Sequence, residues 1–79
     1  PLADAFLITE IHKFSLKTLQ KRIKDLNIGI LEIKKRNSAI EPEIIRQKVK
    51  TCSTKNEVTV FVTRQNGLPL FMLGQRVNH

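Results

Sequence analysis

The stretch from Glu57 to Val77 constrains the fold more than any other. Residues 57–64 read EVTVFVTR and alternate Val58, Val60 and Val62 with Thr59, Phe61 and Thr63, the period of two that marks a strand. Residues 68–77, LPLFMLGQRV, return as a second strand, with Leu68, Leu70 and Met72 against Phe71 and Leu73. Between them stands Asn66-Gly67, a pair that tolerates positive φ at both positions and so closes a two-residue hairpin. Pro69 cannot donate to a ladder, which puts it at a strand start or an open edge. The hairpin is apolar on both faces, so it needs cover on both.

The upstream chain supplies candidates for that cover. Residues 5–14, AFLITEIHKF, are rich in β-branched and aromatic types and read as a strand. Ser15 suits an N-cap, because its hydroxyl can accept from the free N–H groups of the next turn. Leu16, Leu19, Ile23 and Leu26 then fall at helical spacing, with Lys17, Lys21 and Lys24 on the other side. Asn27 and Gly29 supply the stop. Residues 29–36 read as a second strand, Leu31 and Ile33 on one face, Glu32, Lys34 and Arg36 on the other. Pro42 suits the first turn of a second helix, where Glu41 and Glu43 favour the positive pole of the dipole. Ile44, Ile45 and Val49 are its expected core residues, and it should fade near Thr51 to Ser53.

The order is therefore β-α-β-α-β-β. Helices joining the first three strands imply parallel crossovers, and right-handed crossovers leave both helices on one side if the chain keeps advancing in one direction. The expected fold is α/β, a two-layer sandwich with two helices on one face of a four-stranded mixed sheet. Two helices cover only one face. Either the doubly apolar hairpin is central and screened by long charged neighbours, or the open face, with Phe61 and Phe71, docks on something: another domain or a second copy of the chain.

Size and charge bound the rest. Seventy-nine residues make one domain, and one this small buries only about 60% of its unfolded surface. Fourteen Lys and Arg against seven Asp and Glu give a net charge of +7, which favours anionic partners. A single cysteine, Cys52, excludes an internal disulfide and a cysteine-based zinc site. No apolar run reaches the roughly 20 residues of a membrane span, and PLADAFLITE is not a signal peptide. It reads as the start of a piece cut from a longer protein, with a cytoplasmic setting as the default.

No catalytic constellation is visible. His12 and His79 are too far apart in the chain to suggest a metal motif, and no glycine-rich phosphate loop is present. Glu32 and Glu57 could face each other on neighbouring strands, as a structural charge arrangement. The cations are the one chemical signal. Lys17, Lys21, Arg22 and Lys24 group on the first helix, Lys34, Lys35 and Arg36 at the end of the second strand, Arg46, Lys48 and Lys50 on the second helix, with Arg64 and Arg76 on the hairpin. Ligands of open α/β sheets favour the carboxyl ends of parallel strands, where Lys34 to Arg36 lie. With no Trp, no Tyr and four Phe, an RNA partner would be met through shape and phosphates rather than stacked bases.

Phe6 in the opening strand, the Leu16/Leu19 helix, the run Leu31-Glu32-Ile33-Lys34-Lys35-Arg36, the acid-proline start Glu41-Pro42 and the hairpin with Thr63-Arg64 together resemble one family. It is the THUMP-like domain at the C-terminus of bacterial class I S-adenosylmethionine-dependent methyltransferases. The resemblance covers nearly the whole chain. Asn37 stands where relatives usually have Gly, Glu41 where they have Asp, and KTCSTKNE replaces a shorter link. The resemblance implies a single accessory domain, residues 1–79, whose catalytic methyltransferase domain and S-adenosylmethionine site lie upstream in a larger protein. It implies a non-enzymatic role in presenting RNA, with transfer RNA as a candidate.

The expectation is thus a basic rim of Lys34, Lys35 and Arg36, with Lys13, Lys17 and Lys21 as lesser contributors, binding RNA phosphates. The alternative is a structural docking or dimerisation module packing through the open sheet face, with no direct RNA contact.

Overall fold

A computed structural model of the chain describes residues 5–38 and 40–77. Strand β1 (Ala5–Lys13) leads to helix α1 (Leu16–Asp25), strand β2 (Ile30–Lys35), helix α2 (Pro42–Lys48), and the hairpin of β3 (Glu57–Gln65) and β4 (Leu68–Val77). The fold is the expected α/β sandwich. Its four-stranded mixed sheet runs in the order β1-β4-β3-β2.

Local chemistry sets the boundaries. The Ser15 hydroxyl accepts from the Thr18 N–H at 3.2 Å and opens α1. Asn27, at φ 57°, closes it: the Ile28 N–H reaches the Ile23 carbonyl and the Asn27 N–H the Lys24 carbonyl. That is a Schellman motif with its apolar contact, since Ile23 and Ile28 are both buried. Gly29 is not the helix stop. A Cβ there would lie 1.9 Å from the Thr54 carbonyl oxygen, so the glycine permits a close crossing of two backbones. Helix α2 ends at Lys48, earlier than expected, and Val49 is its C-cap. Ile45 and Val49 are buried as expected, whereas Ile44 is 48% exposed, because a helix this short turns only a narrow stripe toward the sheet. Asn66 and Gly67 take positive φ and form the expected turn.

Strand order departs from the simple expectation. β2 pairs with β3 in parallel, while β4 is antiparallel to both β3 and β1. The chain crosses the whole sheet from β1 to β2 and then steps back to β3, instead of advancing one way. Both helices still share one core, with Leu19, Ile23, Ile45 and Val49 packed among Ile33, Val58, Val60, Val62, Phe71 and Leu73. Two crossovers that run in opposite directions over one face have opposite hands, so one of them breaks the usual right-handed rule. The doubly apolar hairpin explains the order: β3 and β4 take the two central positions, and charged β1 and β2 take the edges. Pro69 sits at the start of a central strand, and its carbonyl accepts from the Phe14 N–H at 2.9 Å.

The docking pair does not share a face. Phe71 stands opposite Val62 and Phe61 opposite Met72, so the alternation sends Phe71 under the helices, at 0% exposed, and Phe61 to the open face. Phe61 is itself only 9% exposed. Its ring lies over Gly74, where a Cβ would stand 3.0 Å from Phe61 Cε2, and Phe6 meets it edge-on with centroids 5.1 Å apart. Lys34 Nζ and Arg76 Cζ each lie 5.3 Å from the Phe6 ring centre. Glu32, 3.6 Å from both Lys34 and Arg76, joins the two cations. The open face is thus partly roofed by its own residues.

Candidate nucleic-acid interface

Because β1, β2 and β3 all point the same way, their carboxyl ends lie at one end of the sheet. Lys13 closes β1, Lys35 closes β2 with Arg36 just beyond it, and Arg64 lies near the end of β3. The first turn of α1 starts at the same end and brings Lys17 with it. Lys13 and Thr63 flank Leu70 in adjacent strands, and Arg36 follows the Lys35–Val62 pair, so Lys13 and Arg36 end up level across the sheet. With three strand spacings of about 4.8 Å between them, they span roughly 14 Å.

The basic triplet does not act as one cluster. Successive strand residues point to opposite faces. Lys34 turns to the open face, beside Phe6 and Glu32. Lys35 turns to the helix face, where its Nζ donates to Glu41 Oε1 at 2.8 Å. Glu41 therefore serves Lys35 and makes no side-chain cap bond to α2. Arg36 is exposed beyond the strand, its N–H held by the Val62 carbonyl, and the following Asn37 adopts φ 52°. Among the described residues, Lys13, Lys17, Lys21, Arg36 and Arg64 form no ion pair. Lys21 lies one turn along α1 from Lys17 and is exposed. Arg64 lies one residue beyond the level of Arg36, on the helix face with Val62; the sequence shows the residue, but only strand direction brings it to the same end of the sheet. Glu41 and Glu43 at the start of α2 place negative charge on the same end.

A second polar cluster was not legible in the sequence. Glu10 accepts from Arg22 Nε at 2.8 Å and Nη2 at 2.6 Å, and His12 Nε2 lies 2.7 Å from the same carboxylate. The His12 ring stacks on Phe71 with centroids 5.0 Å apart. The hydrogen bonds from Arg22 hold the Glu10 carboxyl below its ordinary range, against the opposing effect of burial, and Glu10 in turn raises Arg22. The cluster ties α1 to β1 on the helix side. Glu32 and Glu57 do not face each other: Glu32 stands beside Thr59, and Glu57 beside Ile30. Among the described residues no group of three His, Cys, Asp or Glu could hold a metal, and no helix is long and apolar enough to cross a membrane. His79 lies outside the described residues.

The link after α2 is tied down. Gln20 bonds Lys50 in both directions, its amide donating to the Lys50 carbonyl at 2.9 Å and accepting from the Lys50 N–H at 2.7 Å. The Asn27 carbonyl accepts from Thr54 Oγ1 and Asn56 Nδ2. A shallow concavity of about 380 Å³ runs beside β2 between Gly29, Leu31, Arg46 and Val49. Another of about 300 Å³ lies at the amino end of the sheet, around Lys55, Glu57 and Arg76. Neither is lined by Lys13, Lys17, Arg36 or Arg64.

Compared with curated proteins and with solved structures, the chain finds no match. Compared with protein families, residues 3–76 match the family described as THUMP domain-like, which is nearly the whole sequence. With the strand and helix order in place and the match running from the opening strand through the final hairpin, the chain belongs to the THUMP domain-like family.

Proposed function

We propose that the chain is a non-catalytic RNA-binding domain of a larger S-adenosylmethionine-dependent methyltransferase, and that it presents RNA, transfer RNA being the first candidate, to a catalytic domain elsewhere in that protein. Family membership supports an RNA partner, and the net charge of +7 agrees in sign. One observation carries the reading to particular residues: the common direction of β1, β2 and β3 gathers Lys13, Arg36 and Arg64 at one end, with Lys17 beside them and no acid paired to any of the four among the described residues. Lys34, Lys35 and Lys21 are secondary contacts, since the first two already have acidic neighbours. Cations on a rim, with few aromatic rings, suit phosphate contact rather than base reading.

The test is a titration against labelled transfer RNA and duplex DNA of similar charge, at two salt concentrations. Tighter RNA binding that weakens with salt, by a slope of about −0.7 for each single-stranded phosphate bound, is the expected result. Equal weak binding to both would reduce the rim to a generic charge effect.

A second reading has its own observation. On the open face Ile8 is 40%, Ile11 63% and Leu68 55% exposed, an apolar strip along β1 and β4. It replaces the Phe61/Phe71 pair as the docking surface for the catalytic domain. Under this reading Ile11→Asp releases that domain and leaves RNA affinity unchanged.

A further inference from the structure

The outer edge of β2 has a self-complementary pattern. The Ile30 and Arg36 N–H groups point inward, to the Asn56 and Val62 carbonyls at 2.9 and 2.8 Å. Strand alternation therefore turns the backbone groups of Leu31, Ile33 and Lys35 outward. The Leu31 carbonyl agrees, because it accepts from Arg46 Nη1 at 3.2 Å. Ile33 sits midway, with Glu32 before it and Lys34 after it, both on the open face.

We propose that β2 pairs antiparallel with β2 of a second copy about a two-fold axis at Ile33. The Ile33 backbone groups of the two copies would exchange hydrogen bonds, since they are among the outward ones. Antiparallel pairing about Ile33 sets Glu32 opposite the second copy's Lys34, and Lys34 opposite its Glu32. The charges thus match twice in an interface that is the same on both sides. Leu31 falls opposite Lys35, whose stem can cover it. Any other register of one or two residues loses this match. Arg46 competes at the backbone, where its guanidinium occupies the Leu31 carbonyl that the second copy's Lys35 N–H would use, and the 3.6 Å contacts of Glu32 with Lys34 and Arg76 of its own chain compete with the cross-axis pairs. A contact of one short strand from each copy is small, so the dimer is weak and reversible.

The test is sedimentation equilibrium of the whole chain, from micromolar to millimolar concentration, with three variants whose folding is checked by circular dichroism. Glu32→Lys sets Lys against Lys across the axis, and Lys34→Glu sets Glu against Glu. Each variant alone should associate about tenfold more weakly than the natural chain, and the equimolar mixture should recover association, because their edges then complement each other. Both variants keep a positive net charge, so general attraction cannot produce the recovery. Arg46→Ala should strengthen self-association by freeing the Leu31 carbonyl. A chain that stays monomeric at millimolar concentration overturns the proposal. So does a dimer indifferent to all three changes, which would place the contact on another face, or a mixture no tighter than either variant alone.

Discussion

Glu10 and Arg22 are held in a two-pronged ion pair, with Nε at 2.8 Å and Nη2 at 2.6 Å from the two carboxylate oxygens. It joins the middle of β1 to the second turn of α1, across the side of the sandwich where β1 is an edge strand. The fork geometry of arginine fits a carboxylate in this way, and lysine does not reproduce it.

That pair makes stability depend on pH with a definite sign. The folded Glu10 carboxyl titrates below its unfolded value, mainly because of the Arg22 hydrogen bonds. Its contribution is therefore complete above the unfolded carboxylate value of about 4.3 and is lost as pH falls through the lower folded value. Thermal melts of the natural chain and Glu10→Gln should differ at neutral pH and converge in acid. A difference that stays constant across that range would mean that the pair does not set the acid sensitivity. Arg22→Lys should lower the midpoint at neutral pH as well.

Phe71 and Phe61 should respond differently to truncation. Phe71→Ala opens a cavity in the core shared by both helices and should cost about 3–5 kcal/mol, enough to unfold much of a small domain. Phe61→Ala should cost less, because its ring is covered on the open side only by Phe6, which itself lies beneath surface cations. Urea unfolding of both variants gives the comparison. Equal losses would mean that the open face is packed as tightly as the helix face.

Gly29→Ala should be destabilising even though the φ of Gly29 is not positive. The added methyl would collide with the Thr54 carbonyl, backbone that cannot rotate aside. Shifting the link after α2 to make room would also strain the Thr54 and Asn56 bonds to the Asn27 carbonyl. Overpacking of this kind costs about 1–3 kcal/mol. A melting midpoint equal to that of the natural chain would show that the two backbones part freely.

The rim residues are separable by their partners. Arg36→Ala with Arg64→Ala should weaken RNA binding at every sequence tested and flatten the salt dependence, by about 0.7 in slope for each phosphate no longer neutralised. Lys35→Ala should do less, because Glu41 already holds that ammonium. An equal effect from Lys35 would mean that RNA displaces Glu41.

What the sequence determined by itself is local. The Ser15 cap, the stop at Asn27, the Pro42 start and the Asn66-Gly67 turn all follow from the conformational preferences of a few adjacent residues. The period-two alternation marked the strands, and the doubly apolar hairpin marked a central position as one of its two readings. Tertiary structure decided the rest. Which strands neighbour one another depends on pairings between distant segments, and β4 separates β1 from β3. A register shift between Ile8 and Glu10 adds one residue to β1 and reverses its parity. Phe6 and Ile8 therefore lie on the open face, while Glu10 and His12 turn to the helix face, where Arg22 and Phe71 receive them. A bulge of this kind leaves no clear mark in the alternation of residue types. The same strand geometry divides Lys34 from Lys35, and the shared direction of three strands brings Lys13, Arg36 and Arg64 to one end. Adjacency along the chain sets charge density, but the pleat and the sheet order decide which charges face a partner together.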